Sequence, residues 1–305
     1  MDALAPLIAS AMVAGTPLML AALGLLVNER SGVINLGSEG MMLMGAITAF
    51  ATTLASGSFT LGFLAGAVVA MLMSGFFAWL TIWLGANQVA TGLALSLFGV
   101  GASAYLGLPY AGESLQPIQF AVPLLHDIPV LGPALFRHHP LVYGAIALCF
   151  VIAWFLMRTR AGLIVRAVGE SPTSAHSLGY DVRRIRLACV LFGGACAGLA
   201  GAFMSLVYTP LWVEGMVAGR GWIALALTTF ATWRPLRVMA GAYLFGGITI
   251  LTYHMQALGV PIASQLLSML PYIATVVVLV LISRNAAWIR LNMPASLGKN
   301  FNPNA

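Results

Sequence analysis

Residues 60–84 read TLGFLAGAVVAMLMSGFFAWLTIWL, twenty-five successive positions without an Asp, Glu, Lys or Arg. Coiled as an α-helix at ~1.5 Å per residue the stretch reaches about 37 Å, enough to cross a hydrocarbon core of ~30 Å. Its apolar residues run on without alternating, so it reads as a membrane-spanning helix and not as a strand of a membrane barrel. Similar runs occur near 4–27, 41–57, 88–108, 140–157, 187–207, 222–233, 236–253 and 265–283. Together they predict an all-α, polytopic integral membrane bundle of about eight to ten spans, folded as a single transmembrane domain over 1–305. The run 222–233 is too short, since its residues reach only ~18 Å as a helix. The stretch before it, Trp212 to Gly221, carries Glu214, Arg220 and three glycines. A broken or re-entrant segment is therefore expected near 212–235, where irregular backbone is tolerated only if protein or a water-filled cavity covers it.

Composition agrees. Of 305 residues 60% are hydrophobic and 7% charged, against about 45–50% and about 25% in soluble domains. Fourteen basic and eight acidic side chains cannot coat a soluble protein of this size, and the mean hydropathy of +0.96 excludes disorder. Cys149, Cys189 and Cys196 all fall in apolar runs and read as small buried hydrophobes. Met1-Asp2-Ala3-Leu4 lacks the positive start of a cleavable signal, so the first run is expected to stay as a span. The only lysine, Lys299, follows Gly298 but precedes Asn300, so no GxxxxGK[ST] phosphate loop exists. There is no HExxH, and His138-His139 has no ligands at metal spacing, which predicts two surface histidines. No catalytic constellation, metal, cofactor or nucleic-acid partner is expected for this chain.

Alternate threading puts Arg30, Arg158, Arg160, Arg166, Arg183, Arg184, Arg186, Arg234, Arg237, Arg284, Arg290 and Lys299 on one side. Arg137 and Arg220 fall on the other. The positive-inside bias makes the first side cytoplasmic, with the N-terminus outside and the C-terminus inside. The loop 109–139 is then external, and its five prolines with Glu113 and Asp127 suggest a lid or docking surface. The tail 284–305 is cytoplasmic. Glu29 and Arg30, closing the first span, and Glu214 near the outer break read as interfacial; Glu39, opening the second span, is the acid with possible membrane depth.

The cytoplasmic loop 158–186 holds six arginines against Glu170 and Asp181. Topology control and attraction to anionic lipid explain the charge, though not the order within. Ser171 reads as an N-cap, Pro172 as the first helical residue, and Gly179 as the terminator about two turns later. Asp181 then caps the next helix and can pair with Arg184. A short, capped helix lying along the surface suits contact with another protein. Further on, Gly194 with Gly198 and Ala197 with Gly201 place small residues four apart, which lets helix backbones approach closely in lipid.

Three segments together resemble a known family. RTRAGLIVRAVGESPTSAHSLGYDVRRIRLACVLFGGACAGLAGAF (158–203) is similar to the coupling region of ABC permeases of the branched-chain amino acid and simple-sugar importer superfamily. NERSGVINLGSEGMMLMGA (28–46) and GMVAGRGWIALALTTFATWRPLRVMAGAYLFGG (215–247) resemble its nucleoside-type permeases, which work with basic-membrane-protein lipoproteins; so does Pro294-Ala295-Ser296-Leu297-Gly298. The continuation Lys299-Asn300-Phe301-Asn302 departs from the aromatic and basic ending of many relatives. The resemblance implies a permease subunit of an importer driven by ATP-Mg on separate ATPase subunits. It also implies a second, related permease forming a heterodimer and an external solute-binding lipoprotein. In such systems a cytoplasmic helix seats in a cleft of the ATPase; here that implies contact by Glu170, Ser171, Pro172, Ala175, His176 and Gly179, flanked by Arg166 and Arg183. Nucleosides are the first solute implied, with purine bases, riboflavin-like molecules or simple sugars behind. A stand-alone ion-coupled carrier of small polar solutes is the alternative, and a membrane enzyme or scaffold stands behind it.

Candidate solute contacts are spread along the chain. Asn35 and Glu39 lie in Gly32 to Gly40, where flexible backbone either lines a cavity and offers hydrogen bonds to sugar hydroxyls or base edges, or forms a tight turn that caps the second span. Asn87, Gln88 and Thr91 open the fourth span, as solute contacts or as helix caps. Phe98, Tyr105, Trp212 and Trp222 could stack on a base or belong to interfacial aromatic belts. Arg220 reads as structural, or as an outer gate.

Overall fold

The computed structural model describes residues 4–116, 135–259, 264–283 and 292–302. Pro117, Pro123, Asp127, Pro129 and Pro133 of the expected external loop, and Arg284 and Arg290 of the expected tail, lie outside the described residues. The helices are α1 (Leu4–Arg30), α2 (Ser38–Ser56), α3 (Phe59–Ala78), α4 (Gln88–Gly107), α5 (Pro140–Arg158), α6 (Arg160–Glu170), α7 (Pro172–Ser177), α8 (Val182–Phe203), α9 (Arg220–Phe230), α10 (Pro235–Ala257) and α11 (Ser264–Ser283). α3 and α8 each run on into a π-helical turn, Trp79–Trp83 and Met204–Tyr208. Among the described residues the only β-type pairing is an isolated bridge between Ser114 and Leu211.

Among the described residues six helices, α1, α3, α4, α5, α8 and α10, are long and apolar enough to cross a membrane, and the chain is a multi-pass membrane protein. α1 and α8 are mostly enclosed by other helices, whereas α4, α5 and α10 present most of their surface outward. α2, which carries Glu39, packs among α3, α4 and α8 at the centre.

Glycine sets the spacing at this centre. A side chain at Gly198 would strike Gly66 of α3, one at Gly201 the Met42 carbonyl of α2, and one at Gly193 the Asn28 side chain of α1. The small residues of α8 thus let three helices close on it from different sides. Because the Gly201 obstacle is backbone, at 1.8 Å from an ideal Cβ, no rotamer change relieves it. Gly201→Leu is expected to cost several kcal/mol, of order 3–5, by forcing α2 and α8 apart. Gly144→Ala, where nothing lies within 4 Å, is expected to be neutral or slightly stabilising. Size-exclusion chromatography of detergent extracts checks the pair: G201L should be aggregated or lost and G144A monodisperse.

Caps follow the sequence. Asn87 Oδ1 accepts from the Ala90 amide at 3.0 Å, Ser58 caps α3, and Pro140 opens α5 behind His139. The two histidines depart from their expected surface setting. His138 is buried, and His139 packs between Phe63 and Phe203, with ring centroids 5.4 and 6.2 Å away. Burial pushes the His139 imidazole below its ordinary pKa, which favours a neutral ring against the aromatics.

Candidate functional site

α2 begins inside the bundle, not at its edge. Gly40 packs on Ser96 and Gly99 of α4, which lie 8 and 11 residues past the start of α4 at Gln88, or about 12–16 Å along it. The chain leaves α1 at Arg30, turns through Ser31 to Gly37, and climbs back before α2 starts. Asn35 makes the turn: its Oδ1 accepts from the Gly37 amide at 2.9 Å, the short-range bond by which Asn favours turns. Gln88 pins it from α4, accepting from the Ile34 amide at 2.9 Å. Both side chains are buried, so these two candidate solute contacts serve as turn and anchor.

Glu39 meets the broken crossing. α8 and its π-helical turn end at Tyr208, and the chain returns through an irregular stretch, Thr209–Ala218, before α9 completes the passage with 11 residues. At ~1.5 Å per residue α9 covers about 16 Å, roughly half a membrane. The Glu39 carboxylate receives the Gly219 amide at 2.8 Å and the Gly221 amide at 2.7 Å. A negative side chain thereby closes the positive end of a half-helix and satisfies two amides with no intrahelical partner. Gly219 takes φ +80 in the turn and Gly221 leaves room for the Glu39 backbone. Arg220 lies beside them, its guanidinium 5.0 Å from the Tyr208 ring centroid and 3.1 Å from Met204 Sδ. Arg220 is half-buried there, packed against side chains of the π-helical turn that ends α8.

A second glutamate holds the other end of α9. The Trp233 indole N–H and the Thr228 hydroxyl, the latter at 3.1 Å, both donate to Glu29. Glu29, read as interfacial, is only 3% exposed: the carboxylate is enclosed because α9 folds onto it. Thr232 and Trp233 adopt positive φ at this junction, strained for side chains of their type and costing on the order of 1–3 kcal/mol each. The indole bond to Glu29 helps hold that turn closed.

The remaining candidates do not join one pocket. Asn87 is an exposed cap. Thr91 and Phe98 line an apolar groove of about 580 Å³ between α3 and α4. Trp212 lies within the break but is buried, whereas Trp222, on the first turn of α9, is 38% exposed.

The loop 158–186 folds much as its sequence indicates. Ser171 Oγ accepts from the Ser174 amide at 3.2 Å, Pro172 opens α7, and Gly179 ends it at φ +88. Asp181 caps α8 through the Arg184 amide at 3.1 Å and pairs with the Arg184 guanidinium at 3.0 Å. Ala175 differs from expectation. It is buried with Val168 and Val182 against Phe301, because a helix this short spends its one inward position on its own support. The outward residues are Thr173, Ser174, His176, Ser177, Leu178, Gly179 and Tyr180, with Leu178 at 77% exposure. Glu170 receives the Ala295 amide at 3.4 Å, and Arg166 and Arg183 are half-buried beside the helix.

Sequence reading missed the role of the tail. Arg186, 2% exposed, donates to the Ser31 carbonyl at 3.1 Å, the Lys299 carbonyl at 3.0 Å and Ser296 Oγ at 3.2 Å. Ser296 binds the Gly169 carbonyl at the end of α6, Asn300 receives the Gln88 amide group at 3.2 Å, and Phe301 packs on His176. One strand of chain thus joins α7, the Ser31–Gly37 turn and the foot of α4. Among six arginines in one loop nothing singles out Arg186, although the Pro294–Gly298 segment signals that the tail is specified.

Comparison with known proteins adds identity to this geometry. The family described as branched-chain amino acid transport system / permease component matches residues 7–282. A putative glucose ABC transporter permease of Haloferax volcanii is 39% identical, covering 95% of each chain. A nucleoside ABC transporter permease of Lactococcus lactis is 33% identical over 90% of this chain and 91% of its own. A guanosine ABC transporter permease of Bacillus subtilis is 32% identical over 90% of each. No solved structure matches this chain.

Proposed function

We propose, from the premise that this chain belongs to the branched-chain amino acid transport system permease family and is a permease component of an ABC importer, that its solute is a nucleoside or a related sugar. The observation that carries this is the pair of relatives named for nucleoside and guanosine beside one named for glucose, all matched nearly end to end. Those solutes share a polyhydroxylated ring, which favours a path with hydrogen-bonding groups and an aromatic face over a purely apolar one.

In this reading the solute passes beside the break between α8 and α9, where Trp222 offers a stacking face. Asn35, Glu39 and Gln88 shape the wall and do not touch solute. The basic end of the bundle is cytoplasmic, which puts the C-terminus inside and the N-terminus outside a bacterial plasma membrane. ATPase subunits that bind ATP-Mg grip the outward face of α7, centred on Leu178 with His176, Ser171, Pro172, Gly179 and Glu170 around it. A second, related permease completes the path, and a binding lipoprotein delivers solute to the opposite end. Coupling is supported by contiguity: α7 packs on Phe301, Asn300 bonds Gln88, and Gln88 bonds the turn that leads to Glu39. Movement of α7 therefore has a packed route to the N-terminus of α9.

The experiment is uptake of radiolabelled guanosine and of glucose by cells expressing the transporter with its neighbouring subunits. Saturable guanosine uptake that unlabelled nucleosides suppress supports the reading. Uptake of branched-chain amino acids with neither ring solute carried contradicts it.

A further inference from the structure

A cavity of about 830 Å³ opens between α5, α6 and the α9–α10 junction at the basic end of the bundle. Arg30, Arg166, Arg234 and Arg237 line it, and Glu170 is the one acid among the described lining residues; Glu170 receives the Ala295 amide. Four like charges around one space repel one another, and desolvation makes that costly. Arg30 donates to the carbonyls of Asn292 and Trp233, and Arg237 to Thr232 Oγ1. With four guanidinium groups to one carboxylate in its lining, the cavity attracts an anion with several acceptor oxygens, and guanidinium groups match phosphate oxygens in geometry as well as charge.

The rest of the lining decides what carries the phosphate. Met157, Leu163 and Leu236 form the rim and are 71%, 58% and 50% exposed. Met157 and Leu236 end the spans α5 and α10, at the level where hydrocarbon gives way to headgroups. An apolar rim beside an arginine floor, at a span's end, fits an amphiphile whose chain lies along α5 and α10 and whose head enters the cavity. Inorganic phosphate would leave the rim bare. We propose that this cavity is a binding site for an anionic phospholipid, with Arg166 and Arg234 on its phosphate. The proposal rests on the chain's being a membrane protein and not on which solute it carries.

Native mass spectrometry of the full chain, purified in neutral detergent and given dioleoyl phosphatidylglycerol or dioleoyl phosphatidylcholine at equal concentration, tests it. One phosphatidylglycerol should survive activation that strips phosphatidylcholine, with about a tenfold preference that falls at least fivefold in Arg166→Gln and Arg234→Gln. Arg184→Gln, at the exposed Asp181 pair, should keep it. Should either cavity variant fail to fold, the unaltered chain decides: the preference should fall as ionic strength rises. Equal retention of the two lipids, a preference indifferent to salt or to both cavity substitutions, or displacement by millimolar inorganic phosphate would overturn the site. Displacement of phosphatidylglycerol by the copurifying ATPase would overturn it as well, by making the cavity a protein contact.

Discussion

Glu39→Ala is expected to reduce solute uptake at least tenfold while leaving the spans in the membrane. Removing the carboxylate strands the Gly219 and Gly221 amides in a region where a buried, unsatisfied donor costs about 1–3 kcal/mol. It also removes the negative charge that the start of α9 faces. The spans do not depend on this contact: α1, α3 and α8 are held by apolar packing and close glycine contacts. The loss therefore falls on the half-helix and on the irregular stretch leading into it. Glu39→Gln should be only partly better, because the amide group that replaces one carboxylate oxygen is itself a donor and cannot receive both backbone N–H groups. Uptake, normalised to the amount of permease in the membrane, checks the series. Uptake within twofold of wild type in E39A would show that the contact does not shape the path.

Leu178→Asp should abolish ATP-driven uptake without destabilising the protein. Leu178 sits at the end of α7 with most of its surface outside the chain, so a charge there breaks no internal packing. On the proposed docking it would disrupt an apolar contact with the ATPase, and a buried, unpaired carboxylate at an interface costs several kcal/mol. Ala175→Leu is the contrast. Ala175 is 2% exposed and packed with Val168 and Val182, so added volume pushes α7 off its seat, at about 1–3 kcal/mol. L178D should keep the wild-type melting temperature and lose the ATPase on purification, whereas A175L should melt earlier. If L178D retains the ATPase and transports normally, the outward face of α7 is not the docking surface.

These expectations rest on features of unequal legibility in the sequence. The run at 60–84 corresponds to α3 and its π-helical turn, Phe59–Trp83, and the run at 140–157 to α5. Uniform apolarity over a full membrane thickness has few other solutions. The break before α9 was also legible, since a short apolar run behind clustered glycines and charges cannot span alone. Ser171, Pro172, Gly179 and Asp181 act locally, and the structure places each in its expected capping role. Depth was not legible. Gly32 to Gly40 reads equally as a surface turn or a buried one, and only the Gly40–Gly99 contact puts Glu39 inside. Glu29 and Arg186 were hidden for the same reason: their partners lie some 200 and 110 positions away, where no local pattern reaches. The burial of Ala175 was not legible, because sequence shows that a short helix forms but not which side of it faces its own chain.

The family membership makes this chain a transport subunit, and in the proposed coupling its gate is moved from outside the chain, through α7. It is tested most directly by solute uptake into proteoliposomes holding the permease pair, with solute-binding protein outside and with or without the ATPase and ATP-Mg inside, on the α7 side. Uptake is expected only when ATPase and nucleotide are both present, and none on applying a proton or sodium gradient alone. Uptake by the permease without the ATPase, driven by an ion gradient, would contradict it.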